Sequence, residues 1–231
     1  MKNVLVVGGG GYCGSIVVPQ LLNAGWNVTV YDILRWYGSD HLPKDNPRLR
    51  IIEGDVRETT LVAEACKGQD AVLHLACISN DASFELDERL STTVNLDAFE
   101  PLVLAAKAAG VRRFIYASSS SVYGVSEAPE VTEDHPLVPL TLYNRYKGLC
   151  EPLLKKHTDE SFVGVIFQRS AIIDPASTWL VRGAIAQTVE TFGHGRVAIA
   201  IAQAGKTQLQ DLIDVQGLAF GDLLPQPRHI T

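Results

Sequence analysis

Seven residues near the start of the chain constrain its folding more than any other stretch: Gly8-Gly9-Gly10-Gly11-Tyr12-Cys13-Gly14. They follow a short apolar, β-branched run over 3–7 and open a segment of helical periodicity over 12–24. Gly8, Gly11 and Gly14 stand at G-x-x-G-x-x-G spacing. Glycine at such positions lets the chain turn tightly off a strand. It also lets the backbone approach a pyrophosphate and the next helix pack close to the sheet. The N–H groups and positive end of that helix then face the phosphates. Glycine also marks ordinary turns, so context decides. A strand before and a helix after favour a dinucleotide site built from Gly8, Gly11, Tyr12, Cys13 and Gly14.

The rest of the chain alternates strand-like and helix-like stretches. Further strands are expected over 27–31, 50–53, 71–75, 112–117 and 162–167. Helices are expected over 12–24, 59–66, 93–109 and 143–156. Gly25 is a natural stop for the first helix, and Pro19 should bend it or remove one bond. Alternation of this kind predicts an α/β fold, a doubly wound parallel sheet of the Rossmann type. Residues 127–139, with several prolines and acids, read as a surface loop. Hydrophobic residues make up 46% of the 231, which excludes intrinsic disorder. A net charge of −6 argues against a nucleic-acid partner. No apolar run approaches the roughly 20 residues of a membrane span, and the N-terminal run is too short for a signal peptide, so a cytoplasmic location is expected. Cys13, Cys66, Cys77 and Cys150 are widely spaced without a CxxC pair and read as free thiols. No His/Cys/Asp cluster has metal spacing, so no metal is expected.

The second strand ends in Tyr31-Asp32. Asp32 lies 18 residues beyond Gly14, near the offset of about 20 for the acid that grips ribose hydroxyls. A carboxylate there repels a 2′-phosphate and favours NAD over NADP, a preference that the nearby Arg35 can soften. Gly54-Asp55-Val56 follows the third strand. A carboxylate at that strand end can accept from an adenine amino group, or it can be a solvated turn acid.

Tyr143 and Lys147 make the one Tyr-x-x-x-Lys of the chain, and on a helix they share a face. Upstream, Ser118 to Ser121 followed by Val122-Tyr123-Gly124 lies at the carboxyl end of the fifth strand, the edge where open α/β sheets bind ligands. Together with the glycine loop, this reads as an active site.

The combination resembles the extended short-chain dehydrogenase/reductase family, in particular its NAD-dependent nucleotide-sugar epimerases and dehydratases. The matching residues are Gly8, Gly11, Gly14, Asp32, Asp55-Val56, His74-Leu75-Ala76-Cys77, Asn95, the S-S-x-x-V-Y-G element and the Y-x-x-x-K pair. The resemblance implies that Ser119 hydrogen-bonds the reacting oxygen and that Tyr143 is the base. Lys147 would lower the Tyr143 pKa and hold the nicotinamide ribose. It adds Leu75, Ala76 and Cys77 to the NAD site and points to Ser79, Asn80, Ser119 and Ser120 for a nucleotide-sugar substrate. It implies a homodimer through the helices over 93–109 and 143–157. His74 reads as a satisfied strand histidine and Tyr146 as packing. Dehydratases of the family carry an Asp-Glu pair where this chain has Ser120-Ser121, which favours epimerisation. A non-catalytic NAD-binding module and a dehydrogenase of a small carbonyl compound remain as alternatives. Residues 1–169 are expected to form the dinucleotide-binding domain with its catalytic helix. Residues 170–231 are expected to form a small, truncated substrate lobe. There the family's phosphate-gripping arginine is Gln210 and its second acid Gly217.

Overall fold

β1 (Asn3–Val7) is apolar on both faces, and the structure buries both: Val4, Leu5, Val6 and Val7 are each at most 1% exposed. The computed structural model describes residues 2–79, 81–126, 131, 135–169 and 198–202. Val4 and Val6 pack with Val17, Val18 and Leu21 of α1 (Tyr12–Asn23). Leu5 and Val7 face the other way, onto Phe99, Leu102 and Val103 of α5 (Phe99–Ala108). A strand with two apolar faces is stable only between two helical layers, which puts β1 at the centre of the sheet.

The sheet has seven parallel strands in the order β3 (Leu49–Glu53), β2 (Asn27–Asp32), β1, β4 (Ala71–His74), β5 (Arg113–Ala117), β6 (Val163–Arg169) and β7 (Ala198–Ala202). The chain winds outward from β1 to β3 and then returns to the opposite side of β1. That reversal opens a crevice between the carboxyl ends of β1 and β4, the place where doubly wound sheets bind nucleotides. The expected six strands are all present. The seventh, Ala-Ile-Ala-Ile-Ala, is a difference: it pairs with β6 in the register Val165↔Ala198 to Arg169↔Ala202. Its alanines are poor strand formers, and its period gives little polar contrast. The rest of the expected lobe over 170–231, including Gln210 and Gly217, lies outside the described residues, as do most of 127–134 and Asn80.

α1 runs without interruption through Pro19, whose ring removes only the bond that residue would have donated. Its end is set by Gly25 at φ +88°, with Gly25 N–H on the Leu22 carbonyl and Trp26 N–H on that of Leu21. α2 (Thr59–Cys66), α3 (Asp81–Leu86) and α4 (Glu88–Thr92) follow. The single helix expected over 93–109 is divided. Thr93–Asp97 forms a π-helical turn, closed by Ala98 N–H on the Thr93 carbonyl, before α5 begins. Pro101, in the first turn of α5, has no N–H to donate to the Asp97 carbonyl, so one ladder bond is missing at this junction. A 3₁₀ turn (Ser120–Tyr123) and α6 (Leu142–His157) complete the set, with Thr141 capping α6 through its hydroxyl on Asn144 N–H. Among the described residues no helix is long and apolar enough to cross a membrane.

Candidate active site

The glycine loop turns at Gly8 (φ +85°), whose N–H donates to the Tyr31 carbonyl. A Cβ on Gly8 would collide with the backbone of Ala76, and one on Gly14 with the backbone of Gly9. Only glycine therefore lets the loop lie against the end of β4 and α1 start so close to it. Around Gly11 a Cβ would meet only the Gly8 carbonyl, at 3.4 Å, so that side of the turn is open. Gly11 provides no side-chain cap for α1, and the first turn carries no acidic residue. A helix start with no side-chain cap and no acid in its own first turn suits a phosphate. Tyr12 is half exposed beside it and Cys13 half-buried.

Asp32, at the end of β2, is locked in place. Its carboxylate accepts from Gly10 N–H (2.9 Å) and Leu34 N–H (2.8 Å). A carboxylate has about four lone-pair sites, so two remain for ribose hydroxyls. Asp55 sits at the corresponding end of β3, but its oxygens are engaged by the Arg57 side chain and backbone N–H. The bonds from Arg57 hold the Asp55 carboxyl below its ordinary range. An adenine amino group would share those oxygens with Arg57. Val56 is buried against Tyr31, whose hydroxyl donates to the Asp55 carbonyl.

The segment after β4 runs Leu75-Ala76-Cys77-Ile78-Ser79 and faces the glycine loop. Leu75 and Ala76 both donate their N–H to the Val7 carbonyl. Asn95, in the π-helical turn, braces the far end: its amide donates to the Ile78 carbonyl and its oxygen accepts from Ile78 N–H. Cys77 is half-buried and Ser79 exposed. His74 is 4% exposed and stacks on Tyr116. Burial, then the charge of Lys147, pushes it down to about 3, so it stays neutral and is no base. The sequence reading of a satisfied histidine needs correction at one atom, because Nδ1 has no hydrogen-bond partner among the described residues.

Lys147 is 6% exposed. Its Nζ donates to the Ala117 carbonyl at 2.7 Å and lies 5.9 Å from the Tyr143 ring. Burial works against its charge, but coupling to Cys77, Tyr143 and Cys150 outweighs that and holds the ammonium above its ordinary range. Ala117 ends β5, and Ser119 follows two residues later as the cap of the 3₁₀ turn, its Oγ accepting from Ser121 N–H. Ser119 and Ser120 are half-buried and Ser121 is exposed. At Gly148, α6 passes close to that turn: a Cβ there would sit in ordinary contact with the Val122 and Leu137 side chains. Tyr146 is a hydrogen-bonding neighbour of Thr92 on α4. Among the described residues no cluster could hold a metal ion.

Sequence reasoning missed a buried polar chain behind the serines, formed by Ser118, Glu151, Gln168 and Tyr123. A signal for it exists: Tyr143, Lys147 and Glu151 recur at i, i+4, i+8. A glutamate on a predicted helix reads as surface unless its face is already known to be buried.

A model of the NAD dependent epimerase/dehydratase family matches residues 4–221. A UDP-glucose 4-epimerase of Lactobacillus helveticus is 31% identical over 153 residues, covering 65% of this chain and 46% of that protein. A dTDP-glucose 4,6-dehydratase of Streptomyces griseus is 33% identical over 67% of this chain and 49% of that protein. The chain thus spans about half the length of these curated relatives. Among solved structures, a short-chain dehydrogenase/reductase superfamily protein of Agrobacterium tumefaciens with bound NAD is 34% identical, with a TM-score of 0.63 over 73% of this chain and 49% of that one. A family match that takes in both the glycine cradle and the Tyr143–Lys147 helix leaves one conclusion: the chain belongs to the NAD dependent epimerase/dehydratase family.

Proposed function

We propose that this chain epimerises a nucleotide sugar by transient hydride transfer to tightly held NAD. The observation that carries the reading is the α6 face at the carboxyl edge of the sheet, where buried Lys147 stands between Tyr143 and the Ala117 carbonyl that leads into Ser119. Gly8, Gly11, Tyr12, Cys13 and Gly14 would hold the pyrophosphate and Asp32 the adenosine ribose. Asp55 and Val56 would border the adenine, and Leu75, Ala76 and Cys77 the nicotinamide half. Bound NAD supplies the hydride acceptor and, in the return half-reaction, the donor.

Tyr143 would take the proton from the sugar hydroxyl as the ketone forms and, after the bound ketone has rotated to present its other face, give it back as hydride returns. A phenol titrating near 10 must be brought toward 7 for this, a shift of about 4 kcal/mol. The Lys147 ammonium, 5.9 Å from the centre of the Tyr143 ring, favours the phenolate and so acts in that direction. Ser119 hydrogen-bonds the reacting oxygen, while Ser79, Asn80 and Ser120 border the sugar. The site residues described provide no acid beside Ser119 for removing water, since Ser120 and Ser121 follow it. That supports epimerisation over dehydration.

The test is incubation of the NAD-loaded protein with a panel of UDP-sugars, wild type against Tyr143→Phe. An epimerised product from the wild type, with kcat lowered about 100-fold or more in the variant, is expected. NAD binding by both proteins with no sugar changed would show a non-catalytic NAD-binding module instead. Net accumulation of NADH would show a dehydrogenase.

A further inference from the structure

None of the roles above uses the buried chain behind the serines. Ser118 Oγ donates to Glu151 Oε1 at 2.6 Å, and Gln168 Nε2 donates to the same oxygen at 2.8 Å. Tyr123 OH donates to Gln168 Oε1 at 2.6 Å. Glu151 is 2% exposed, and Gln168 and Tyr123 are equally buried. Among the described residues no ion pair includes Glu151. A carboxylate in such a place is costly, and an apolar residue of the same volume would commonly fold as well or better. Folding energetics therefore give no reason for an acid at this position, whereas its partners do.

Those partners bracket the proposed catalytic hydroxyl. From one face of α6, Lys147 grips the Ala117 carbonyl, and one turn later Glu151 grips the Ser118 hydroxyl. Ser118 N–H is held by the Phe167 carbonyl on β6. Gln168, the next residue of β6, carries the chain on to Tyr123, the last residue of the 3₁₀ turn. The stretch from 117 to 123 is thus tied at both ends to α6 and β6, with Ser119 between the ties. The geometry points to Glu151 as a positioning residue. Its carboxylate, acting through Ser118 and through Gln168 and Tyr123, sets where Ser119 stands relative to Tyr143 on the same helix. The inference rests on the proposed roles of Ser119 and Tyr143.

Three variants test it: Glu151→Ala, Glu151→Gln and Ser118→Ala, each loaded with NAD. UDP-glucose turnover, NAD affinity and amide hydrogen exchange over 118–123 are measured for each. Glu151→Ala is expected to lower kcat about 10- to 100-fold, with KM and NAD affinity within about twofold. Glu151→Gln keeps an oxygen for both donors and is expected within about threefold of wild type. Ser118→Ala loses one tie and is expected between the two, and adding it to Glu151→Ala should slow turnover no further. Exchange over 118–123 should quicken about tenfold or more in Glu151→Ala and stay at the wild-type rate in Glu151→Gln.

Unchanged kcat and exchange in Glu151→Ala overturn the inference. So does a kcat loss without faster exchange, or a Glu151→Gln as slow as Glu151→Ala. If Glu151→Ala fails to fold, Ser118→Ala and Glu151→Gln decide by the same criteria. A wild type that turns over no UDP-sugar removes the epimerase reading alone. Exchange over 118–123 then decides whether Glu151 holds the segment, with unchanged rates counting against it.

Discussion

Lys147 and His74 show how two basic residues in one buried region come to opposite states. Lys147 keeps its charge because the Ala117 carbonyl accepts from it and Cys77, Tyr143 and Cys150 favour the ammonium. Among the described residues His74 has no partner at Nδ1, and its ring contacts are Phe99, Phe114 and Tyr116, so burial and the nearby ammonium keep it neutral. A histidine depressed to about 3 when folded and near 6.5 when unfolded binds more protons in the unfolded chain between those values. Stability from this residue is therefore present above about pH 6.5 and is lost as pH falls toward 3. Denaturant melts of wild type and His74→Leu from pH 7 to pH 4 should show the wild type losing up to about 1 kcal/mol more per pH unit. Parallel curves would mean that His74 is not held neutral. Tyr143, Lys147 and Ser119 could be picked out from the sequence as one candidate site by their spacing. The state of His74 could not be read there, because it depends on three aromatic rings brought in from β5 and α5.

At the scale of elements, the glycine turn and the π-helical turn do the placing. Gly14→Ala would drive a Cβ into the Gly9 backbone and separate α1 from the loop. It should cost about 2 kcal/mol or more and abolish NAD retention, which thermal melts and nucleotide release would record. Asn95→Ala cuts both bonds to Ile78 and leaves that backbone pair without its buried partner. A loss of about 1–3 kcal/mol is expected, together with weaker NAD binding from a looser 75–79 segment, measured by calorimetric titration. The six expected strands and the helices expected over 12–24, 59–66 and 143–156 lie within one or two residues of the structure, since apolar periodicity and Gly25 or Gly110 mark such ends, whereas the short α3 and α4 were not expected. The division of the 93–109 helix could not be read from the sequence, because a regular pattern conceals a widened turn. Pro101 was the available sign, and it has meaning only once Asn95 is seen to reach across to Ile78.

For the whole molecule, two apolar layers flank one parallel sheet, and the site occupies the crevice where strand order reverses. Phe114 on β5 lies fully buried between His74, Phe99 and Phe162. Phe114→Ala should cost about 3–5 kcal/mol with the cofactor loops untouched, so the melting temperature falls while residual folded protein still binds NAD. Strand–helix alternation makes a doubly wound parallel sheet readable in the chain, whereas the order β3-β2-β1-β4-β5-β6 comes only from the folded sheet. β7 was missed because Ala-Ile-Ala-Ile-Ala has neither strong strand propensity nor a polar face, and only the open edge of β6 gives it a place.

The sequence by itself determined the doubly wound fold, the glycine cradle and the Tyr143–Lys147 pair, because each rests on local spacing: a strand-turn-helix order, a period, an i to i+4 step. The tertiary structure alone decided the neutral His74, the engagement of Asp55 by Arg57, the brace from Asn95 and the Ser118–Glu151–Gln168–Tyr123 chain. Except for the Asp55–Arg57 contact, each joins residues far apart in the chain. Their partners, burial and charge exist only once the helices have packed on the sheet.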